Sequence, residues 1–224
     1  MDEHHIYAVI TGDFIGFSDL DQKVRKNMPR LMADAGVLLR SVLPGVMPKD
    51  IDVFRGDSWQ ALIEDPVYAL RAALLIHAFM RSDVKGSGLN TRMAVGVGPV
   101  DYIPDKGVSA GDGPAFRLSG KKLEKMTSLR NFAILGYSSP SDPCESLVDA
   151  LMRTVGALIS RWRPFQAKAV LGILKGMSRA EIARNRPGPV SVQAVSGHLK
   201  RASWPAVLNA LEVFEGLWKQ PYKV

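Results

Sequence analysis

Two aspartates in the first quarter of the chain are placed to do chemistry: Asp13, within GDFIGFS (12–18), and Asp57, within RGDSWQA (55–61). Carboxylate oxygens are hard ligands, so two of them brought to one strand edge would hold a divalent cation such as Mg²⁺ or Mn²⁺. The backbone through Phe14, Gly16, Phe17 and Ser18 follows the first aspartate directly. Successive N–H groups in a glycine-containing turn of this kind cradle phosphate. Both aspartates also have a plain structural use, Asp13 as the cap of the next helix and Asp57 as a turn residue. Arg55, Asp112, Arg117, Lys121 and Lys122 are further groups able to approach a phosphorylated ligand, with Arg117 as a clamp on one phosphate. Lys121, Lys122 and Lys125 read more simply as a solvated helix face.

A second set of residues lies in SRAEIARNRPGPVSVQAVSGHLKRA (178–202). Ser178 with Glu181 three residues on is a capping box that opens one helix, the Pro-Gly-Pro segment ends it, and Ser191 caps the next. Ile182 and Ala183 allow the first helix to pack closely, and Val192, Val195 and Leu199 form an inward row on the second. That leaves Gln193, Ala194, Ser196, Gly197, Lys200 and Arg201 facing outward. Glutamine reads adenine edges, serine and alanine touch bases or thymine methyls, and lysine and arginine hold phosphates, so the pattern is that of a helix-turn-helix on double-stranded DNA. Arg179, Arg184 and Arg186 add positive charge before the turn. A helical bundle that binds protein instead is the plain alternative.

The elements that must position these residues differ along the chain. Over 224 residues the net charge is +7, with 46% hydrophobic and 23% charged side chains, an ordinary globular composition. Residues 1–138 carry 17 basic and 16 acidic side chains, whereas 139–224 carry 12 and 6, so nearly all the excess is in the last part. The proline- and serine-rich stretch at 136–146 reads as a linker, which gives two domains, 1–138 and 139–224. In the first, runs at 6–11, 91–100 and 131–136 read as strands, 51–64 as a hairpin of two strands turning at Arg55–Ser58, and 21–43, 66–81 and 110–127 as helices. The order is βαββαβ followed by αβ, an α+β fold with a ferredoxin-like split βαβ core. The second reads as all-α, with helices at 145–162, 164–175, 178–185, 191–202 and 204–219. Trp204, Leu208, Leu211, Phe214 and Trp218 form a stripe suited to a core or a dimer seam. A single cysteine, Cys144, excludes an internal disulfide and a cysteine zinc cluster. No apolar run approaches the roughly 20 residues that span a bilayer, and the acidic start is unlike a signal peptide, so a cytoplasmic chain with no membrane partner is expected.

GDFIGFS, RGDSWQA, RMAVGVGPVDY (92–102) and GPAFRLSGKKLEKM (113–126) occur in the order found in class III nucleotidyl cyclase domains, which the chain resembles over residues 6–136. With the helix-turn-helix that follows, it is similar to the SatD family of bacterial proteins. The cyclase resemblance implies a metal pair at Asp13 and Asp57 that organises a triphosphate and activates a ribose 3′-hydroxyl, with Arg117 matching the catalytic arginine. The chain departs from that pattern where a purine would be read, since Val53 replaces a lysine or glutamate. Gly113 stands in place of the ribose-steadying asparagine, and no lysine occurs in 127–138 for the polyphosphate. The expectation is therefore a homodimeric transcriptional regulator whose degenerate cyclase-like domain binds a nucleotide or cyclic (di)nucleotide effector, with Mg²⁺ or Mn²⁺ as accompanying ions. An active cyclase acting on ATP or GTP is the alternative.

Overall fold

The computed structural model describes residues 5–82, 89–128, 135–140, 142–185, 188 and 190–219. Strand β1 is Tyr7–Phe14, β2 Asp52–Phe54, β3 Ser58–Ile63, β4 Thr91–Gly98 and β5 Leu135–Ser138. Helices are α1 Gln22–Lys26, α2 Met28–Val42, α3 Ala69–Arg81, α4 Pro114–Ser128, α5 Glu145–Ile159, α6 Pro164–Leu174, α7 Arg179–Arg184, α8 Val192–Arg201 and α9 Trp204–Lys219. The strands form one sheet in the order β2-β3-β1-β4-β5, antiparallel except for the β4/β5 pair. The first four strands have the ferredoxin-like split βαβ order, and the β4-α4-β5 crossover adds the fifth.

Alternation along the strands sends two residue sets to two faces. Ala8, Ile10, Phe14, Trp59, Ala61, Ile63, Met93, Val95 and Val97 join α2 and α3 in the main core. Val9 and Leu62 meet Ala115 and Phe116, and Ala94 meets Leu123 and Met126, so α4 covers the opposite face. Helix α4 sits very close to β4, because a Cβ on Gly96 would fall 2.4 Å from the backbone of Ala115 and Ser119. A buried polar chain stitches this layer. Ser119 Oγ donates to the Phe116 carbonyl, Thr11 lies 2.7 Å from Ser119, and Gln60 Nε2 donates to Thr11 at 2.8 Å.

Several sequence expectations shift in detail. The helix expected over 21–43 breaks at Asn27 into α1 and α2, with Pro29 in the first turn of the second. Residues 66–68 form a 3₁₀ turn, capped by the Asp65 side chain, before α3 begins. The last strand starts at Leu135 and runs through Ser138, while 131–134 lie outside the described residues. The stretch expected to be a linker is therefore folded at both ends. Tyr137 is buried, its hydroxyl donates to Asp142 and its N–H to Asp149, and Ser138 Oγ donates to Glu145.

Helix α3 explains why there is no gap in packing at residues 138–139. Leu70 through Ala78 are buried all round except for Arg71, and a helix apolar on every side must be covered on every side. One side faces the sheet and the other faces α6 and α9, so the main core runs unbroken from β1 to Val195, Leu199 and Phe214. The stripe Trp204, Leu211 and Phe214 is buried in that core.

Candidate functional site

The end of β1 meets the β2–β3 turn. Phe14 N donates to the Asp57 carbonyl at 3.0 Å, and Asp13 stands opposite Ser58 in the register. The Phe17 ring lies at 6.2 Å from that of Phe14, and a Cβ on Gly56 would come within 3.8 Å of it. The turn itself is bent by Arg55 and Gly56, both with positive φ. Asp13, Phe14, Gly16, Phe17, Ser18, Arg55 and Asp57 are thus gathered at one end of the sheet's strands. Two of the N–H groups in this loop are already engaged, Phe14 to Asp57 and Ile15 to the Asn90 carbonyl at 2.9 Å. Phe14 itself is a core side chain, 3% exposed.

Arg92 is the residue that sequence reasoning missed here. It faces Asp13 across the β1/β4 pair and donates to both carboxylate oxygens, Nε to Oδ1 at 2.9 Å and Nη2 to Oδ2 at 2.8 Å. The pair is largely shielded, with side-chain exposures of 25% for Arg92 and 15% for Asp13. A bidentate guanidinium is a fixed cation matched to a carboxylate. Asp13 therefore caps no helix, and its carboxylate is already paired with a fixed cation. Asp57 offers one further carboxylate, touched by Ser58 Oγ at 3.3 Å. Among the described residues no group of three or more His, Cys, Asp or Glu side chains is placed to share an ion.

Asp112 and Arg117 lie elsewhere. Arg117 donates to Asp112 at 2.5 Å and to Asp101 at 3.2 Å, at the start of α4. That helix begins beside Gly98, which pairs with Tyr7 at the far end of β1 from Asp13. Six residues of strand at a rise of about 3.3 Å put the two clusters roughly 20 Å apart within one chain. Beside Arg117 is an open cleft of about 380 Å³ floored by Gly98, Pro99, Pro114 and Leu118, with Lys121 at its edge. Lys122 is not on a solvated face. Its Nζ is 2.7 Å from Asp149 and its side chain is 16% exposed, so it ties α4 to α5.

The departures from the cyclase pattern have structural causes. Val53 pairs with Trp59 and packs against the main core, so its side chain is committed. Trp59 is itself a core residue, fully buried, with its ring over Gly12 and its Nε1 donating to Thr91 at 3.0 Å. Gly113 has φ of +140°, and a Cβ there would lie 2.6 Å from Asp101 N and 2.7 Å from Val100 Cα. No side chain, asparagine included, fits that backbone without moving it.

In the helical part, α6, α7 and α8 pack on one another. Gly172 lets α7 approach, since a Cβ there would meet Ile182 at 2.5 Å. Both caps form as the sequence suggests. Glu181 N donates to Ser178 Oγ at 3.2 Å while Ser178 N donates to Glu181 at 2.7 Å, and Ala194 N donates to Ser191 Oγ at 3.1 Å. Pro187 and Pro189 of the turn lie outside the described residues. Along α8 the inward row is Val195, Leu199 and, just past its end, Ala202, all buried. Val192, expected in that row, is 43% exposed at the first position of the helix. Gln193, Lys200 and Arg201 are exposed, Ala194, Ser196 and Gly197 are half-buried, and Arg179 is exposed at the start of α7. Gly197 lets Arg201 fold back along the helix, since a Cβ would lie 3.3 Å from its guanidinium, which reaches His198 Nδ1 at 3.3 Å.

Fold and site together define an α+β protein, a ferredoxin-like sheet with a polar, arginine-bearing end and a basic helical layer packed against it. No family model matches the chain, and no curated protein matches it. Among solved structures it is similar to the dimeric guanylyl cyclase domain of the RhoGC fusion protein from the aquatic fungus Blastocladiella emersonii. That match has 16% identity and a TM-score of 0.42 over 54% of this chain and 74% of that one. It is also similar to a bacterial light-regulated adenylyl cyclase, at 12% identity and a TM-score of 0.39 over 60% of this chain and 43% of that one. No helix among the described residues is long and apolar enough to cross a membrane.

Proposed function

We propose that the chain is a DNA-binding regulator whose helices α7 and α8 engage double-stranded DNA and whose cyclase-like sheet domain binds a nucleotide or cyclic (di)nucleotide effector. The observation that carries this reading is α8. Its buried row at Val195 and Leu199 leaves Gln193, Lys200 and Arg201 exposed on the other side, on a helix held by its own cap within a three-helix unit. A major groove admits one such helix, with glutamine for base edges and the two cations for phosphates. The 12 to 6 excess of basic over acidic side chains in 139–224 supplies the sequence-independent attraction.

For the effector, the turn through Gly16 and the Asp57 carboxylate lie beside the mutually neutralised Asp13–Arg92 pair at the β1 end. Arg117 and Lys121 beside an apolar cleft suit a phosphate and a base at the other end. A homodimer with its protomers antiparallel would set the Asp13 and Asp57 end of one against the Arg117 end of its partner, and twofold symmetry also suits palindromic operators. Turnover as a cyclase is disfavoured by Val53, by the Gly113 backbone and by the engagement of Asp13 with Arg92.

Selection of bound sequences from a random duplex pool, followed by fluorescence anisotropy across a salt series, tests the DNA reading. Replacing Lys200 and Arg201 together by alanine is expected to weaken binding and to lower the slope of log K on log salt by about 2, one for each phosphate no longer neutralised. Binding like that of the unmodified protein would remove α8 from the interface. Thermal stabilisation by one of ATP, GTP, cyclic AMP, cyclic GMP or cyclic di-GMP, with the ligand recovered unchanged, is the expected result for the sheet domain. A cyclic product from ATP or GTP would make the chain an enzyme.

A further inference from the structure

The first turn of α6 and the last turn of α8 enclose a cleft of about 510 Å³ lined by Arg163, Phe165, Gln166, His198 and Arg201. None of these side chains is acidic. Gln166 is buried, and its side chain accepts from Arg163 N at 2.9 Å, which fixes the start of the helix and aims that turn. Arg163 is exposed, and Phe165 is 48% exposed with its ring 6.1 Å from that of His198. A half-exposed phenylalanine in a cleft that two arginines also line is an odd surface for water to cover. It is a good one for a group that carries negative charge on a hydrocarbon frame. The cleft is continuous with the outward side of α8, because Arg201 belongs to both, and Ala194, His198 and Arg201 follow one another at i, i+4 and i+7 along the flank between them.

We propose that this cleft receives a DNA backbone phosphate beside the groove entered by α8, with Arg163 and Arg201 as its two guanidinium partners and Phe165 against the adjoining sugar. The proposal rests on the DNA reading above and adds to it a contact from α6, outside the two-helix motif. A phosphate contact positions the protein without reading sequence, so α6 would fix the angle at which α8 enters the groove. His198 is a positioning residue here, its Nδ1 accepting from Arg201 and holding the guanidinium toward the cleft.

The test compares Arg163→Ala, Phe165→Ala and, at the exposed far end of α6, Lys175→Ala in the full chain. Binding to the selected duplex and to a random-sequence duplex is followed across a salt series, with thermal stability as the folding control. Arg163→Ala is expected to weaken both duplexes by about tenfold, the factor for one charge-assisted contact. It should also lower the salt slope by about 0.9. Phe165→Ala is expected to weaken both without changing the slope, and Lys175→Ala to leave both as they were. If Arg163→Ala binds normally while the Lys200 and Arg201 double variant does not, the cleft proposal is overturned and the α8 reading stands. Absence of any salt-dependent binding by the unmodified protein overturns both. Equal weakening by Lys175→Ala would show diffuse charge instead of a site. Loss of stabilisation by ATP or GTP in Arg163→Ala, with DNA binding intact, would assign the cleft to a free nucleotide and likewise overturn it.

Discussion

At Gly113 the backbone decides which side chain can stand there. Its φ of +140° is reached freely only by glycine, and a Cβ would press on the Val100–Asp101 backbone, not on the yielding tip of a side chain. Gly113→Asn would supply the residue type that a cyclase uses to steady a ribose, yet it is expected to destabilise the fold by about 2–3 kcal/mol through strain and overpacking. The measurement is a urea midpoint with a product assay beside it, the expected outcome being a lower midpoint and no cyclic product from ATP or GTP. An unchanged midpoint would show that the start of α4 yields at little cost. Arg92 makes the complementary point at the other end. Its bidentate grip pairs Asp13 with a fixed positive charge within the sheet, a contact made across two strands and not along either.

At the scale of elements, Asp149 is the joint between the sheet and the helical layer. From α5 it accepts from Lys122 on α4, from the Tyr137 N–H on β5 and from Arg153 one turn on. Burial pushes its carboxyl up, but these three donors outweigh burial and hold it below the usual carboxylate range. Asp149→Ala leaves a shielded Lys122 and a strand N–H without their acceptor, and a destabilisation of about 2–4 kcal/mol is expected. Asp149→Asn, which keeps an acceptor, should cost less. Urea midpoints for the two variants and hydrogen exchange at β5 check this, and equal destabilisation would mean that the charge of Asp149, lost in both variants, carries the whole effect. The elements themselves were legible in the sequence, because strand runs, helical spacing and the Ser178 and Ser191 caps are local signals that the fold obeys. What was not legible depends on pairing at a distance. Arg92 meets Asp13 only through the β1/β4 register, Lys122 finds Asp149 across an element boundary, and the polar stretch after Gly136 looks like a linker until Tyr137 and Asp142 are seen buried. The split of the candidate nucleotide residues into two clusters follows from α4 running back along β4, which spacing in the chain does not reveal.

Across the whole molecule, the sheet and the helical layer share one core, and His77 stands in the middle of it. From α3 it is fully buried, its Nε2 is 3.0 Å from the Ile159 carbonyl at the end of α5, and its ring is 5.7 Å from that of Trp162. Nδ1 has no hydrogen-bond partner among the described residues. Arg81, one turn further along α3, donates to the Trp162 carbonyl and so anchors the same junction with a permanent positive charge. Burial is the main reason that His77 is pushed down to about 4, with Arg81 adding to it and the Ile159 carbonyl opposing it. The imidazole is therefore neutral in the folded chain at any pH above that value, whereas in the unfolded chain it takes up a proton near pH 6.5. Between those two values the unfolded state binds the extra proton, so stability must fall as the pH is lowered from about 6.5 toward 4, by roughly 3 kcal/mol in all for this one group. The joint at Asp149 responds in a different window. Its carboxyl lies below the unfolded value, so its contribution is intact above about pH 4 and is lost only as the pH falls further. His77→Gln, whose amide nitrogen can still donate to the Ile159 carbonyl, is expected to flatten the upper slope and leave the lower one in place. Urea unfolding of both proteins at closely spaced pH values reads the two windows separately. A slope between pH 6.5 and 4 that survives the substitution would place the acid sensitivity of the junction in some other group.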